Sequence, residues 1–215
     1  MARTKEFDPD KALKIAVNVF WRLGYEHTSL ETLMREMGIS KQSLYDTFGD
    51  KRSIYFRAMS RYRDDTNGSL RKLFAREKSV RRGFAKIFQA MIRENKAQHE
   101  RGCLLMNTNL SRAVDDVEVR EFLRDNQKQV EEIFIAALLD AQARGEIGAE
   151  KDPVTLAKFF VATIQGMRAL ARLNHDRREL ESISAVALRA LDLEPCRGVT
   201  FVKNISPYNG PRSLV

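Results

Sequence analysis

Cysteine is nearly absent: Cys103 and Cys196 are the two in 215 residues. They are too few and too far apart for a disulfide framework or a Cys-rich zinc site, which points to a reducing, cytoplasmic setting. The five prolines stand at 9, 153, 195, 207 and 211, so the 143 residues from Asp10 to Asp152 contain none. A proline-free stretch of that length reads as helix. Long hydrophobic runs are missing too. Even the most apolar segment, 153–173, carries Lys158 and Arg168, short of the roughly 18 uninterrupted apolar residues that suggest a membrane span, so no membrane partner is expected. Residues 1–10 are polar, and no signal peptide is expected. There is no Walker loop, G-x-S-x-G, HExxH or C-x-x-C, and the three histidines, 27, 99 and 175, lie far apart in sequence. That leaves no constellation for catalysis. His99 and Cys103 stand four apart, but two ligands do not make a metal site. Arg101 beside Cys103 is the single hint of a reactive thiol. The expectation is a non-enzyme with no cofactor.

What is present is a globular composition, 43% hydrophobic and 31% charged, with a net charge of +8. The charge is uneven. Residues 1–63 hold 12 Lys+Arg against 8 Asp+Glu, residues 64–194 hold 22 against 21, and residues 195–215 hold 3 against none. A basic segment on a nearly neutral body suits a nucleic-acid-facing module joined to a larger domain.

Asp8-Pro9-Asp10 is a helix start, with a capping carboxylate, a proline preset for the first turn and an acid favourable against the dipole. Leu13, Ala16, Val17 and Phe20 then follow at helical spacing up to Gly24. Thr28-Ser29-Leu30-Glu31 has the form of a capping box, which assigns Thr28 as cap of a helix through Leu33, Met34 and Met37 to Gly38. After a three-residue turn, Ser40 can cap a short helix over 41–47 that turns Leu44 and Phe48 inward and leaves Lys41, Gln42, Ser43 and Tyr45 outside. Two short helices around a glycine turn form a helix-turn-helix, whose second helix can enter the DNA major groove. Gln42 suits adenine, Ser43 and Tyr45 suit phosphate or base edges, and Lys41 supplies charge. A solvated helical hairpin with no DNA role fits the same pattern.

The segment TSLETLMREMGISKQSLYDTFGDKRSIY resembles the DNA-binding signature of the TetR family of bacterial transcriptional regulators. Thr28, Gly38, Ser40, Lys41, Leu44, Tyr45, Phe48 and Lys51 meet the family pattern, with Ile39 in place of the usual valine. The segments RGCLLMNTNLSRAVDDVEVREF and FFVATIQGMRALARLNHDR resemble ligand-domain segments of the family, so the likeness covers about residues 8–193. It implies an all-α fold of about nine helices: a three-helix DNA-binding domain (1–50) and a larger ligand-binding and dimerisation domain (51–194). After Pro195 the sequence itself changes character and shows no helical stripe, which reads as an irregular tail (195–215). The resemblance also implies that Thr28 and Ser29 touch backbone phosphate, that Lys41, Gln42 and Ser43 address the groove, and that Tyr45 and Lys51 clamp phosphates, with Arg3 and Lys5 as a basic arm. Two positions depart from the family. Met34 stands where a small alanine is usual. Asp46 follows Tyr45 where an aromatic or histidine is common, and repels phosphate unless it accepts from cytosine or pairs with Lys51.

In the body, Ile54, Tyr55, Ala58, Met59 and Tyr62 make a stripe on a long connecting helix over 51–75, and further helices are expected over 80–97, 103–113, 117–144, 153–173 and 179–193. Aromatic and methionine residues at this spacing are ordinary core. By resemblance, Met59, Tyr62, Phe88, Met91, Met106, Asn107, Phe134 and Gln165 line a cavity for a small apolar or amphipathic effector. Helix 153–173 has more apolar surface than one core needs. With the last helix it resembles the family's dimer-forming bundle, through Leu156, Phe160, Thr163, Met167, Leu170, Ile183, Val186 and Leu191. The implied protein is a homodimeric repressor that binds an inverted-repeat operator and is released by its ligand. The alternative is a ligand-binding or scaffold dimer that leaves its hairpin unused, and Asp46 is the argument for it.

Overall fold

The computed structural model describes residues 7–112 and 114–192; Arg3, Lys5, Cys196 and the 195–215 tail lie outside them. Among the described residues there are ten helices and no strand.

Helix α1 (Pro9–Leu23) begins where the Asp8 carboxylate accepts from the backbone N–H of Asp10 (2.9 Å) and of Lys11 (3.3 Å). Its buried line is Ala12, Ala16, Val19 and Phe20, rotated slightly from the expected stripe, so that Leu13 and Val17 lie half-buried at its margin. Helix α2 (Leu30–Met37) is capped by Ser29, whose hydroxyl accepts from Thr32 N–H. Thr28 is therefore not the cap. Its hydroxyl donates to the Gly24 carbonyl at 2.6 Å, and the residue is buried. Gly38 closes α2 in the left-handed region (φ 66°), and its N–H and that of Ile39 both return to the Met34 carbonyl. The chain thereby turns within three residues, 38–40, and Ser40 opens α3 (Lys41–Phe48) by accepting from Ser43 N–H.

Helix α4 (Lys51–Arg76) starts on the Asp50 cap and runs 26 residues, about 39 Å. Its first turns belong to the head: Ile54, Tyr55, Ala58 and Met59 are buried with Phe20, Leu33, Leu44 and Phe48. Leu104 and Leu105 of α7 (Leu104–Arg112) complete that same cluster, so the head is packed onto the body rather than tethered to it. The Tyr55 hydroxyl meets that of Thr108 at 2.7 Å in the same contact.

The body core is built by α5 (Val80–Ile92), α8 (Val117–Ala143), α9 (Pro153–Asn174) and α10 (Arg177–Arg189). Phe84 stacks on Phe160 with centroids 3.8 Å apart, and Phe134 meets Phe84 edge-on at 5.0 Å. Such pairs add about 0.5–1.5 kcal/mol each beyond area burial. The single helix expected over 80–97 is two. Helix α5 ends at Ile92, and Asn95 with Gln98 forms a reciprocal capping box that starts the six-residue α6 (Lys96–Arg101). A capping box offers orphan amides a better partner than continuation of the helix, and this one redirects the chain.

Candidate nucleic-acid interface and effector cavity

On α3, burial of Leu44 and Phe48 fixes which face is presented. Lys41 and Gln42 are exposed beside the Ser40 cap, and Tyr45 lies one turn on, 45% exposed. Ser43 is half-buried, its hydroxyl accepting from that of Ser40 at 2.9 Å. Ser29 is exposed at the start of α2, its hydroxyl 3.0 Å from that of Thr32. Thr28, buried and bonded to Gly24, leaves the phosphate-contact set, because its side chain has neither exposure nor a free hydroxyl proton. Lys51 at the head of α4 is half-buried, with its ammonium 4.3 Å from the centre of the Tyr25 ring. Among the described residues it makes no ion pair with Asp46, which is exposed next to Tyr45. Met34 fits half-buried in the head cluster. The surface thus offers an ammonium, an amide and a phenol within two turns of one helix, with a serine-capped helix start beside it. This is the donor set that reads base edges and grips phosphate.

A second set of contacts fastens this surface to the body. The Arg52 guanidinium grips Asp116 through two bonds, 2.7 and 3.0 Å, and reaches Glu118 at 2.7 Å. Arg112 adds a bond to Asp116 at 3.1 Å and pairs with Glu26 in the turn between α1 and α2. Its guanidinium lies 4.1 Å from the centre of the Tyr25 ring, which therefore contacts two cations, Lys51 and Arg112. The Arg52 bonds hold the Asp116 carboxyl far below the usual carboxylate range. Sequence reasoning missed this network, because Arg52 and its two carboxylates, and Arg112 and Glu26, stand more than sixty residues apart; only the Arg112–Asp116 pair, four apart, is local.

The residues expected around an effector are spread over both cores and the surface clefts. Phe88, Met91 and Phe134 are close-packed in the body core, and Met59 in the head cluster. Tyr62 is half-buried; its hydroxyl donates to Cys103 Sγ at 3.6 Å, and burial pushes its phenol well above the usual value. Met106 and Asn107 line an open cleft of about 380 Å3 with Cys103, Leu110 and Arg168. Gln165 is exposed on α9, so it is a surface residue and not a buried polar one; Met167, two positions on, takes the inward place. A buried polar residue that the sequence reading passed over is Asn67 of α4. It donates to Gln129 Oε1 at 3.1 Å, while its own Oδ1 is without a partner. The signal was available, since Asn67 precedes Leu70 and Phe74 by three and seven residues on their stripe.

The dimer candidates divide. Phe160, Met167 and Leu191 are buried in their own protomer's core, because they fill the space between α9, α5 and α10, and so they leave the interface set. Leu156, Thr163, Leu170 and Ile183 are half-buried, and Val186 is 64% exposed. Outward on α9 lie Phe159, Ala162, Gly166 and Leu173, none of them among the expected interface residues. Among the described residues no helix is long and apolar enough to cross a membrane. Nor does any group of three or more His, Cys, Asp or Glu among them suit a metal ion.

A helix-turn-helix with an exposed polar face, set on a larger helical body, defines the class: a DNA-binding transcriptional regulator. Residues 12–58 match the model of the bacterial regulatory proteins, tetR family, and residues 79–187 match that of the tetracyclin repressor-like C-terminal domain. The chain is 31% identical over 194 residues to the uncharacterized HTH-type transcriptional regulator YezE of Bacillus subtilis, spanning 89% of this chain and all of that protein. It is 32% identical over 189 residues to the HTH-type transcriptional repressor ComR of Escherichia coli, 87% of this chain and 90% of that one. Among solved structures, a cysteine mutant of the TetR family regulator CifR in complex with a 26 bp operator DNA superposes with a TM-score of 0.75 at 29% identity, covering 88% of this chain and 100% of that one. The chain belongs to the TetR family of ligand-responsive bacterial transcriptional repressors.

Proposed function

We propose that the protein represses transcription as a two-fold dimer whose paired α3 helices read an inverted repeat, and that a small ligand bound by the body releases it. The observation that carries this reading is the exposed set Lys41, Gln42 and Tyr45 on a helix anchored in the head core by buried Leu44 and Phe48. Ser29 and Lys51 flank that face as phosphate contacts, and Lys51 reaches DNA by leaving the Tyr25 ring. The outward row Phe159, Ala162, Gly166 and Leu173 on α9, with Val186 on α10, supports the dimer. It is apolar, small-residued and without a cover in one protomer. The chain acts by binding rather than by catalysis, in the cytoplasm.

The test is fluorescence polarisation with the intergenic DNA flanking the protein's own gene, random duplex of equal length as competitor, at two salt concentrations. Tight binding that resists the competitor is expected, falling about tenfold or more when Tyr45 is replaced by alanine. Equal, strongly salt-dependent binding to both duplexes would refute specific recognition of that DNA. A Tyr45→Ala variant that binds as tightly as the parent would refute the use of α3.

A further inference from the structure

A cleft of about 510 Å3 lies where α1 of the head meets α6, α7 and α9 of the body. Its wall carries three arginines, Arg22, Arg101 and Arg172, against one carboxylate among the described lining residues, Glu100. Arg22 is neutralised by Glu36 at 3.5 Å. The Glu100 carboxylate is 3.8 Å from both Lys96 Nζ and His175 Nε2. Arg101 and Arg172 make no ion pair among the described residues. Arg101 lies 3.7 Å over the Trp21 ring and donates to Asn18 Oδ1 at 2.6 Å, while its Nε is buried without a partner. Arg172 donates to Asn107 Oδ1 at 2.9 Å.

Desolvated guanidinium groups are normally met by carboxylate or phosphate, since withdrawing a charge from water unpaired is costly. Burial pulls the Arg101 guanidinium below its ordinary value, and the charge of Arg22 adds to the effect. The two arginines are also held at fixed positions. Asn107 donates to the Arg101 carbonyl at 2.8 Å while accepting from Arg172, and Trp21 is pinned by a 3.1 Å bond from its indole N–H to the Gly102 carbonyl. The result is a concave site of small-molecule size with a fixed aromatic wall and two cations whose planar forks match a two-oxygen anion. We infer that this cleft binds a small organic carboxylate, its oxygens held by Arg101 and Arg172 and its apolar part laid against Trp21. The inference goes beyond the regulator reading and does not depend on it. A carboxylate seated there touches α1 and α9 at once and so ties the DNA-reading head to the helix that carries the apolar outer row.

Trp21 is the only tryptophan in the chain, so its emission reports the cleft directly. The whole protein is titrated with benzoate and hexanoate, against benzamide and hexanamide as neutral isosteres, at constant ionic strength set with chloride. Saturable changes in Trp21 emission are expected with the carboxylates at concentrations at least about tenfold below any response to the amides. Arg172 is exposed, so Arg172→Gln leaves the fold intact; it is expected to weaken carboxylate binding about tenfold or more, with Arg172→Lys recovering part of the loss. A carboxylate-dependent rise in melting temperature, present in the parent and reduced in Arg172→Gln, is the second readout. The inference is overturned if neither carboxylate gives a saturable change, if the amides act equally, or if Arg172→Gln binds as the parent does.

Discussion

Asp116→Asn removes one charge and almost no volume at the joint between head and body. In the parent, Asp116 accepts two bonds from Arg52 and one from Arg112, and it caps α8 (Val117–Ala143) by accepting from Val119 N–H at 3.1 Å. Its side chain is 12% exposed and that of Arg112 16%, whereas Arg52 is 39% exposed. A hydrogen bond to a charged group contributes about 1.5–3 kcal/mol, and the exposure of Arg52 screens its share, so a net loss of about 2 kcal/mol is expected. For a chain of this size that lowers Tm by about 4–8 °C. The pH dependence has a definite direction. The Arg52 bonds hold the folded carboxyl far below its unfolded value of about 3.9, so the stabilisation is complete above that value and drains away as the pH falls beneath it. The loss approaches about 1.4 kcal/mol per pH unit, or about 1.3 kcal/mol by roughly pH 3. Thermal melts followed by circular dichroism, with parent and variant at matched protein concentration and about pH 7, 4 and 3, measure the gap. The gap should be largest at neutral pH and shrink by more than half at the lowest. A gap that is absent at neutral pH, or that stays constant to pH 3, would refute the account.

Four further outcomes follow from particular residues. A Cβ on Gly83 would stand 2.5 Å from the Phe74 ring, which is itself set against Phe84 and Phe134, so Gly83→Ala should lower stability by about 1–2 kcal/mol despite its gain in helix propensity. Gly68→Ala, with nothing within 4 Å, should raise stability by about 0.5–1 kcal/mol, and a melt of the two side by side decides the matter. Gln42→Ala should relax preference at one base pair of each half-site by about 1–3 kcal/mol with little change at the others, read by competition with single-substitution duplexes. Val186→Asp, 64% exposed in the protomer, should shift sedimentation from dimer toward monomer without lowering helix content; an unchanged dimer would place the interface elsewhere.

Helix starts were legible because their signals are local. Asp8 and Ser40 cap helices, and Gly38 adopts the left-handed turn that places α3. The outward face of α3 was legible for the same reason, since Leu44 and Phe48 determine it. Thr28 misled because Thr28-Ser29 offers two hydroxyls one residue apart, and only the tertiary burial of Thr28 against Gly24 decides which of them caps. Phe160, Met167 and Gln165 misled because α9 is apolar over much of its circumference, and periodicity cannot say which apolar stripe meets its own core and which meets another chain. The arginine cleft was not legible at all. Trp21, Arg101 and Arg172 come together only when α1, α6 and α9 pack, across separations of more than seventy residues.

The aromatic block of the body has the shape and chemistry of a bound guest. Phe84 and Phe160 lie face to face at 3.8 Å, as a flat hydrocarbon would lie on either of them. Shortening Phe160 to alanine would cost about 3–5 kcal/mol and leave a dry hole the size of the missing ring. Holes of that kind take up benzene-sized molecules, which restore part of the lost stability. Deleting one side chain would thus convert a plug into a vacancy, and a core residue into the mould for a synthetic switch.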